Sequence, residues 1–341
     1  IKPETCIYQV GFRCTLEQGD FSEYPGLGRL TYDREEEELA LQYRHNINYA
    51  IGHGCSVNWT DKHTPPQYVE TEFMPVQEVK PQEFDNKKDY QELDILSLQF
   101  LGNEDIHVKE LNSQLDLFIS SYEKWFSEIC EEKIPDDYID AKKRILMRIE
   151  KVINRIKSGI SLIKNNKDIR KSFLLANQVI LRQMVHGQSK QEGVINPYKK
   201  PDYFSSQFKN FAWRPFQLAF QLLILESLVD DKCPDRSTLD LIWFPAGGGK
   251  TEAYFAVAAF DLIHRRLIYG DEGAGTAVIT RYTLRLLASQ QFDRTATFMC
   301  SLEMLRREKG SLLGKEIFSL GFYAGQDASP NNYKKAYEKI K

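Results

Sequence analysis

The sequence predicts an α/β fold over residues 211–341, a parallel sheet flanked by helices, with a β-rich module and an α-helical bundle ahead of it. Three observations carry this. Between Phe211 and Tyr323, short apolar runs alternate with helical stretches, the order of a doubly wound parallel sheet. Residues from about 105 to 188 carry apolar stripes at helical spacing. Residues 1–95 lack helical periodicity over most of their length.

Within 1–95, short β-leaning runs (Ile7 to Phe12, Tyr68 to Phe73) are separated by turns such as Tyr24-Pro25-Gly26 and Pro65-Pro66. The acidic run Glu35 to Glu38 reads as a solvated helix start or loop. His53, between Gly52 and Gly54, has no paired nucleophile or acid nearby in sequence, so a constrained turn is the better reading than a catalytic base.

Residues 96–188 read as three long amphipathic helices in an antiparallel bundle. Their stripes run through Leu111, Leu115, Phe118, Tyr122, Phe126 and Ile129, then Ile145 to Ile163, then Ile169, Phe173, Ala176, Ile180 and Met184. Breaks fall at Pro135 and Asn165-Asn166. From Lys142 to Lys171 the bundle is strongly basic, opposed only by Glu150 and Asp168. Such a row can track a phosphate backbone or simply be a solvated face, and the sequence leaves both open. Residues 189–210 form a polar linker.

The last stretch, 211–341, opens on Trp213-Arg214-Pro215-Phe216-Gln217 and a helix with Pro near its start. Leu241 to Phe244 is an apolar run with no polar break, the pattern of a strand buried on both faces. Further strands are expected at Thr276 to Thr280 and Phe318 to Tyr323, with helices after the first two.

Composition narrows the rest. At 341 residues, with a net charge of -3, the chain is long enough for two or three domains and carries no global basic field. Its six cysteines have no metal spacing and are expected as reduced cytosolic thiols. No apolar run reaches membrane-spanning length, so the expectation is a cytoplasmic protein with no membrane partner.

The stretch that carries chemistry is Leu239 to Glu252, LDLIWFPAGGGKTE. After Pro245 and Ala246, the residues Gly247, Gly248 and Gly249 allow positive φ and close approach of backbone to a ligand. Lys250, Thr251 and Glu252 then open a helix whose dipole favours an anion. In a P-loop the Lys reaches the β- and γ-phosphates and the Thr hydroxyl ligates Mg²⁺. The strict G-x-x-x-x-G-K-[ST] pattern is not met, because Phe244 stands where its first Gly belongs. P-x-G-x-G-K-T instead resembles motif I of superfamily 2 helicases, with Ala246 in place of the usual Thr. Gln217 resembles the adenine-reading Q motif of that superfamily, with Arg214 beside it as support. Thr280-Arg281 with Leu284, Leu287 and Gln290-Gln291 resembles motif Ia, and Gly325 the glycine motif after it. In the superfamily both meet the nucleic-acid backbone, which assigns Arg281 and Gly325 that role here.

The resemblance extends further. Segments 214–223 (RPFQLAFQLL), 240–254 (DLIWFPAGGGKTEAY), 280–294 (TRYTLRLLASQQFDR) and 321–332 (GFYAGQDASPNN) resemble the DrmA-type helicases of DISARM antiphage systems. So do YAIGHGCSVNW at 49–59 and FLLANQVILRQM at 173–184. The resemblance implies a P-loop RecA-like sheet, here a partial lobe, and an ATP- and Mg²⁺-dependent DNA helicase or translocase working with other defence-system proteins. Superfamily 2 hydrolysis also needs an acidic motif II and arginines from a second lobe. Asp271-Glu272 precedes motif Ia and is rejected for that role. The expectation is therefore of a portion of a longer protein that binds nucleotide without hydrolysing it at a useful rate. Two alternatives stand beside the DNA motor: an RNA helicase or remodeller, and a non-catalytic nucleic-acid or partner platform with a regulatory nucleotide site.

Overall fold

The computed structural model describes residues 10–24, 33–60, 65–73, 93–192, 200–244, 247–282, 285–322 and 332–340. Over these the chain is a mixed α/β protein, mostly helical, with a small three-stranded antiparallel sheet. It divides into two compact units, Ile1–Gln82 with Phe126–Glu150, and Glu83–Trp125 with Lys151–Lys341.

In the first unit the strands β1 (Arg13–Thr15), β2 (Ser56–Trp59) and β3 (Tyr68–Glu72) lie in the order β1-β3-β2, with Cys14 opposite Val69 and Asn58 opposite Glu70. The run Tyr68 to Phe73 supplies β3, while Ile7 to Gln9 lie outside the described residues. His53 is exposed on a bend.

Helix α1 (Arg34–Gln42) is capped by Asp33, whose carboxylate accepts from the Glu35 N–H at 2.9 Å, and its first-turn glutamates complement the helix dipole. The acidic run is a helix start that is solvated only at first: Glu35 and Glu36 are exposed and Glu37 is half-buried. Glu38 is buried and accepts from Arg144 Nε at 2.7 Å, while Arg148 also reaches it and Arg144 pairs with Glu37 at 2.9 Å. A buried carboxylate is stable only when paired and hydrogen-bonded, so the acidic and basic runs satisfy one another.

The second unit is helical. Helix α2 (Leu98–Leu101) precedes α3 (Val108–Glu131) and α4 (Ile139–Asn165), two helices whose outer ends extend into the first unit. Ion pairs Lys157–Glu123 and Lys164–Asp116 run in opposite residue order along them, the mark of antiparallel neighbours.

Helix α5 (Lys167–Glu192) departs from the amphipathic expectation, being buried without a break from Ser172 to Gln183. Ser172, Asn177, Gln178, Arg182 and Gln183 go inside with the apolar residues, so the polar positions that suggested a wet face are not wet. Asn177 shows why this is tolerable: its amide donates to Phe173 O at 2.8 Å and accepts from Trp213 Nε1 at 2.6 Å. Helices α6 (Pro215–Val229), α7 (Lys250–Tyr269) and α8 (Arg285–Lys309) follow, α5 packing directly on α7 and α8. A short α9 (Tyr333–Ile340) ends the described chain. Where α4 crosses α6 the helices touch: a Cβ on Gly159 would lie 1.9 Å from the Leu222 carbonyl oxygen.

The expected parallel sheet is not formed among the described residues. Residues 239–244, 276–282 and 317–322 have no regular secondary structure and exchange no backbone hydrogen bonds with one another there. Nor is Leu241 to Phe244 buried on both faces. Exposure alternates along it, with Leu241 78% and Trp243 84% exposed and Ile242 and Phe244 turned partly inward. A strand is defined by its neighbour's N–H and C=O groups as much as by its own sequence. Apolar character was present in these runs, and the ladder partners were not.

Candidate nucleotide-binding site

The geometry of the site begins at the end of the 239–244 segment. Its approach is fixed from two sides. Asp240 accepts a bidentate pair from Arg155 of α4, at 2.6 and 2.8 Å, and the Phe244 ring stacks on Phe216 of α6 at 4.0 Å and 18°. Bidentate guanidinium–carboxylate pairing fixes orientation as well as distance, so the chain enters the turn from a defined direction. Gly247 and Gly249 then adopt φ of 81° and 82°, which a residue with a Cβ rarely takes. At Gly249 a Cβ would also lie 2.7 Å from Gln217 Nε2, so a side chain there would displace the Gln217 amide.

Gly249 is the N-cap of α7 and supplies no side-chain cap, so the first-turn N–H groups of Lys250 and its successors have no capping oxygen from that position. Lys250, Thr251 and Glu252 are all half-buried in this first turn. The Lys250 ammonium folds back over the turn and donates to Phe244 O at 2.5 Å.

Arg214 and Gln217, at the start of α6, hold the outer side of the turn. Arg214 Nη1 donates to Gly248 O at 2.5 Å, and Gln217 Nε2 donates to Gly249 O at 2.6 Å. Gln217 Oε1 accepts from the Arg214 N–H at 2.8 Å, and the residue is 5% exposed. With these carbonyls taken from behind, the turn is braced by two side chains thirty-odd positions earlier in sequence. Both were expected near adenine, and both are in contact with the glycine turn.

Glu252 forms an ion pair with Arg294 of α8, a residue that sequence reading passed over. Nothing local in the sequence marks a pair forty-two positions apart. Arg281 is exposed at the end of the 276–282 segment, and Ala246 and Gly325 lie outside the described residues. The Asp271 carboxylate is engaged elsewhere, accepting from the N–H groups of Lys315 at 2.6 Å and Glu316 at 3.1 Å, which holds its pKa below the usual carboxylate value.

The basic row of α4 is also accounted for. Lys142 donates to the carbonyls of Cys130 and Glu132, Lys143 pairs with Asp140, and Lys151 pairs with Asp235. With Arg144, Arg148, Arg155, Lys157 and Lys164 already paired, these cations serve the fold's own carboxylates and helix ends. Among the described residues no cluster of three His, Cys, Asp or Glu could hold a metal ion, and no helix is long and apolar enough to cross a membrane.

No family model matches the chain. Over 300 residues, 85% of its length, it is 33% identical to the DISARM protein DrmA of Bacillus paralicheniformis (strain ATCC 9945a / NCIMB 11709 / CD-2). The matched region makes up 26% of that relative, so the chain spans about a quarter of its length. That identity, held over most of the sequence, makes this a DrmA-type protein.

Proposed function

We propose that the chain carries the nucleotide-binding part of an ATP-dependent superfamily 2 DNA helicase or translocase acting in DISARM antiphage defence. The observation that carries this reading is the braced glycine turn at the start of α7, with Lys250 and Thr251 in its first turn.

The residues present fit a Mg²⁺-bound nucleoside triphosphate. A glycine N-cap leaves first-turn N–H groups for phosphate oxygens, and the helix dipole adds to their attraction. Lys250 exchanges the neutral Phe244 carbonyl for phosphate oxygens, a stronger partner for an ammonium. The Thr251 hydroxyl would hold Mg²⁺, which would supply positive charge beside the phosphates. Arg214 and Gln217 keep the turn in position. An amide has two N–H groups and two lone pairs, so Gln217 retains one of each beyond its bonds to Gly249 and Arg214 for an adenine edge. Arg281 is assigned to the DNA backbone, and the three apolar segments to parallel strands of a RecA-like lobe. Other DISARM proteins are the expected partners.

Hydrolysis belongs to the full-length protein, and there it is tested. Purified full-length protein is expected to hydrolyse ATP faster with DNA than without, and Lys250→Ala to abolish both rates. Hydrolysis by the Lys250→Ala variant at the wild-type rate would remove the assignment. Stimulation by RNA in place of DNA would move the reading to an RNA motor.

A further inference from the structure

Motors of the proposed kind need the nucleotide turn and the nucleic-acid loop to sense each other, and one ion pair in the structure is placed to do this. Glu252 stands directly after Thr251, on the first turn of α7. Its partner Arg294 stands on α8, the helix that follows the Thr280-Arg281 segment. Beside this pair the two helices are packed face to face, with Phe255 stacked on Phe298 at 4.9 Å and 6°. Arg294 is therefore fixed at a point where a displacement of the α7 N-terminus is passed to α8.

We propose that Arg294 is the positioning residue that couples nucleotide occupancy at Lys250-Thr251 to the Arg281 segment, through its ion pair with Glu252. The proposal rests on the nucleotide and nucleic-acid assignments above and adds the connection between them. Glu252 is on this view a coupling group and not a phosphate or Mg²⁺ ligand. A second observation agrees with it. Tyr282, adjacent to Arg281, has its phenol pKa pushed up by burial, opposed by the positive charge of Arg294 and supported by Tyr254 on α7. The guanidinium is thus within electrostatic reach of the residue next to the candidate DNA contact.

Exposure argues against a purely structural pair. Arg294 is 41% and Glu252 17% exposed, and ion pairs this open add little to stability. Their removal should leave the fold intact and change communication between sites. Coupling free energies are reciprocal, so it is enough to follow nucleotide affinity with and without DNA.

The experiment titrates a fluorescent ATP analogue with Mg²⁺ into full-length protein, with and without a DNA oligonucleotide, and takes the ratio of the two dissociation constants. Wild type is expected to show a ratio of about fivefold or more. Arg294→Gln should bring the ratio to within about twofold of one, a change within the error of no coupling, while DNA-free affinity stays within about twofold of wild type. Arg294→Lys, which keeps the charge, should retain part of the coupling. The exchanged pair Glu252→Arg with Arg294→Glu should restore it. A wild-type ratio in Arg294→Gln, or no recovery in the exchanged pair, overturns the proposal. So does a wild-type ratio of one. Lys250→Ala serves as the separate control: analogue affinity that it leaves undiminished defeats the nucleotide assignment itself, whereas weakened binding in it alongside intact coupling in Arg294→Gln defeats only the coupling.

Discussion

Gln217 engages the chain with both ends of its amide: Oε1 holds the Arg214 N–H and Nε2 holds the Gly249 carbonyl. That arrangement separates two substitutions that a loosely placed adenine contact would not. Gln217→Glu keeps an acceptor for Arg214, loses the donor to Gly249, and brings negative charge to the phosphate turn. Removing one partner of a buried hydrogen bond costs about 1–3 kcal/mol, so ATP affinity of the full-length protein should fall roughly ten- to hundredfold by titration. Undiminished affinity in Gln217→Glu would mean that the Gly249 contact does not hold the site. At this scale the sequence was informative where function depends on neighbours in the chain. Gly247 to Thr251 could be read directly, because positive φ, a helix start and a cation are local properties. Gln217 and Arg214 were found, but their contacts with the glycine turn were not. A side chain's direction depends on the packing of α6 against the turn. Arg294 had no signal at all, since its partner Glu252 is on another helix.

Among the elements, α4 changes most between sequence and structure. Its basic row looked equally suited to phosphate and to solvent, and the structure pairs much of it with Glu37, Glu38, Asp235, Asp240, Glu123 and Asp116. The prediction is made for Lys142, Lys143 and Arg144. Replacing all three by Gln in the full-length protein should leave the slope of log affinity against log salt for DNA unchanged and lower the melting temperature. A slope shallower by about 0.9 for each cation removed would instead return them to a phosphate contact. The helices themselves were legible, α6, α7 and α8 falling close to where their apolar periods and terminal residues put them. The burial of helix α5 was not, because Asn177, Gln178 and Arg182 resemble a solvated face in sequence and are buried in the fold. The three expected strands were legible as apolar runs, and no strand forms on them among the described residues. Their pairing was not legible, since alternation along one run says nothing about which neighbour completes its ladder.

For the molecule as a whole, the second unit gathers its helices around the glycine turn. Arg155 of α4 fixes Asp240, Phe216 of α6 stacks on Phe244, Arg214 and Gln217 take the carbonyls of Gly248 and Gly249, and Arg294 of α8 holds Glu252. Four of these contacts fix the approach to the turn and the turn itself before a ligand arrives, so little ordering remains to oppose binding. The central claim is that this turn holds the phosphates of ATP, and calorimetric titration of Mg²⁺-ATP into the full-length protein tests it most directly. The account predicts saturable one-site binding by the wild type. Lys250→Ala should weaken it roughly ten- to hundredfold, the ~1.5–3 kcal/mol of a hydrogen bond to a charged group. Equal affinity in the two proteins would contradict it.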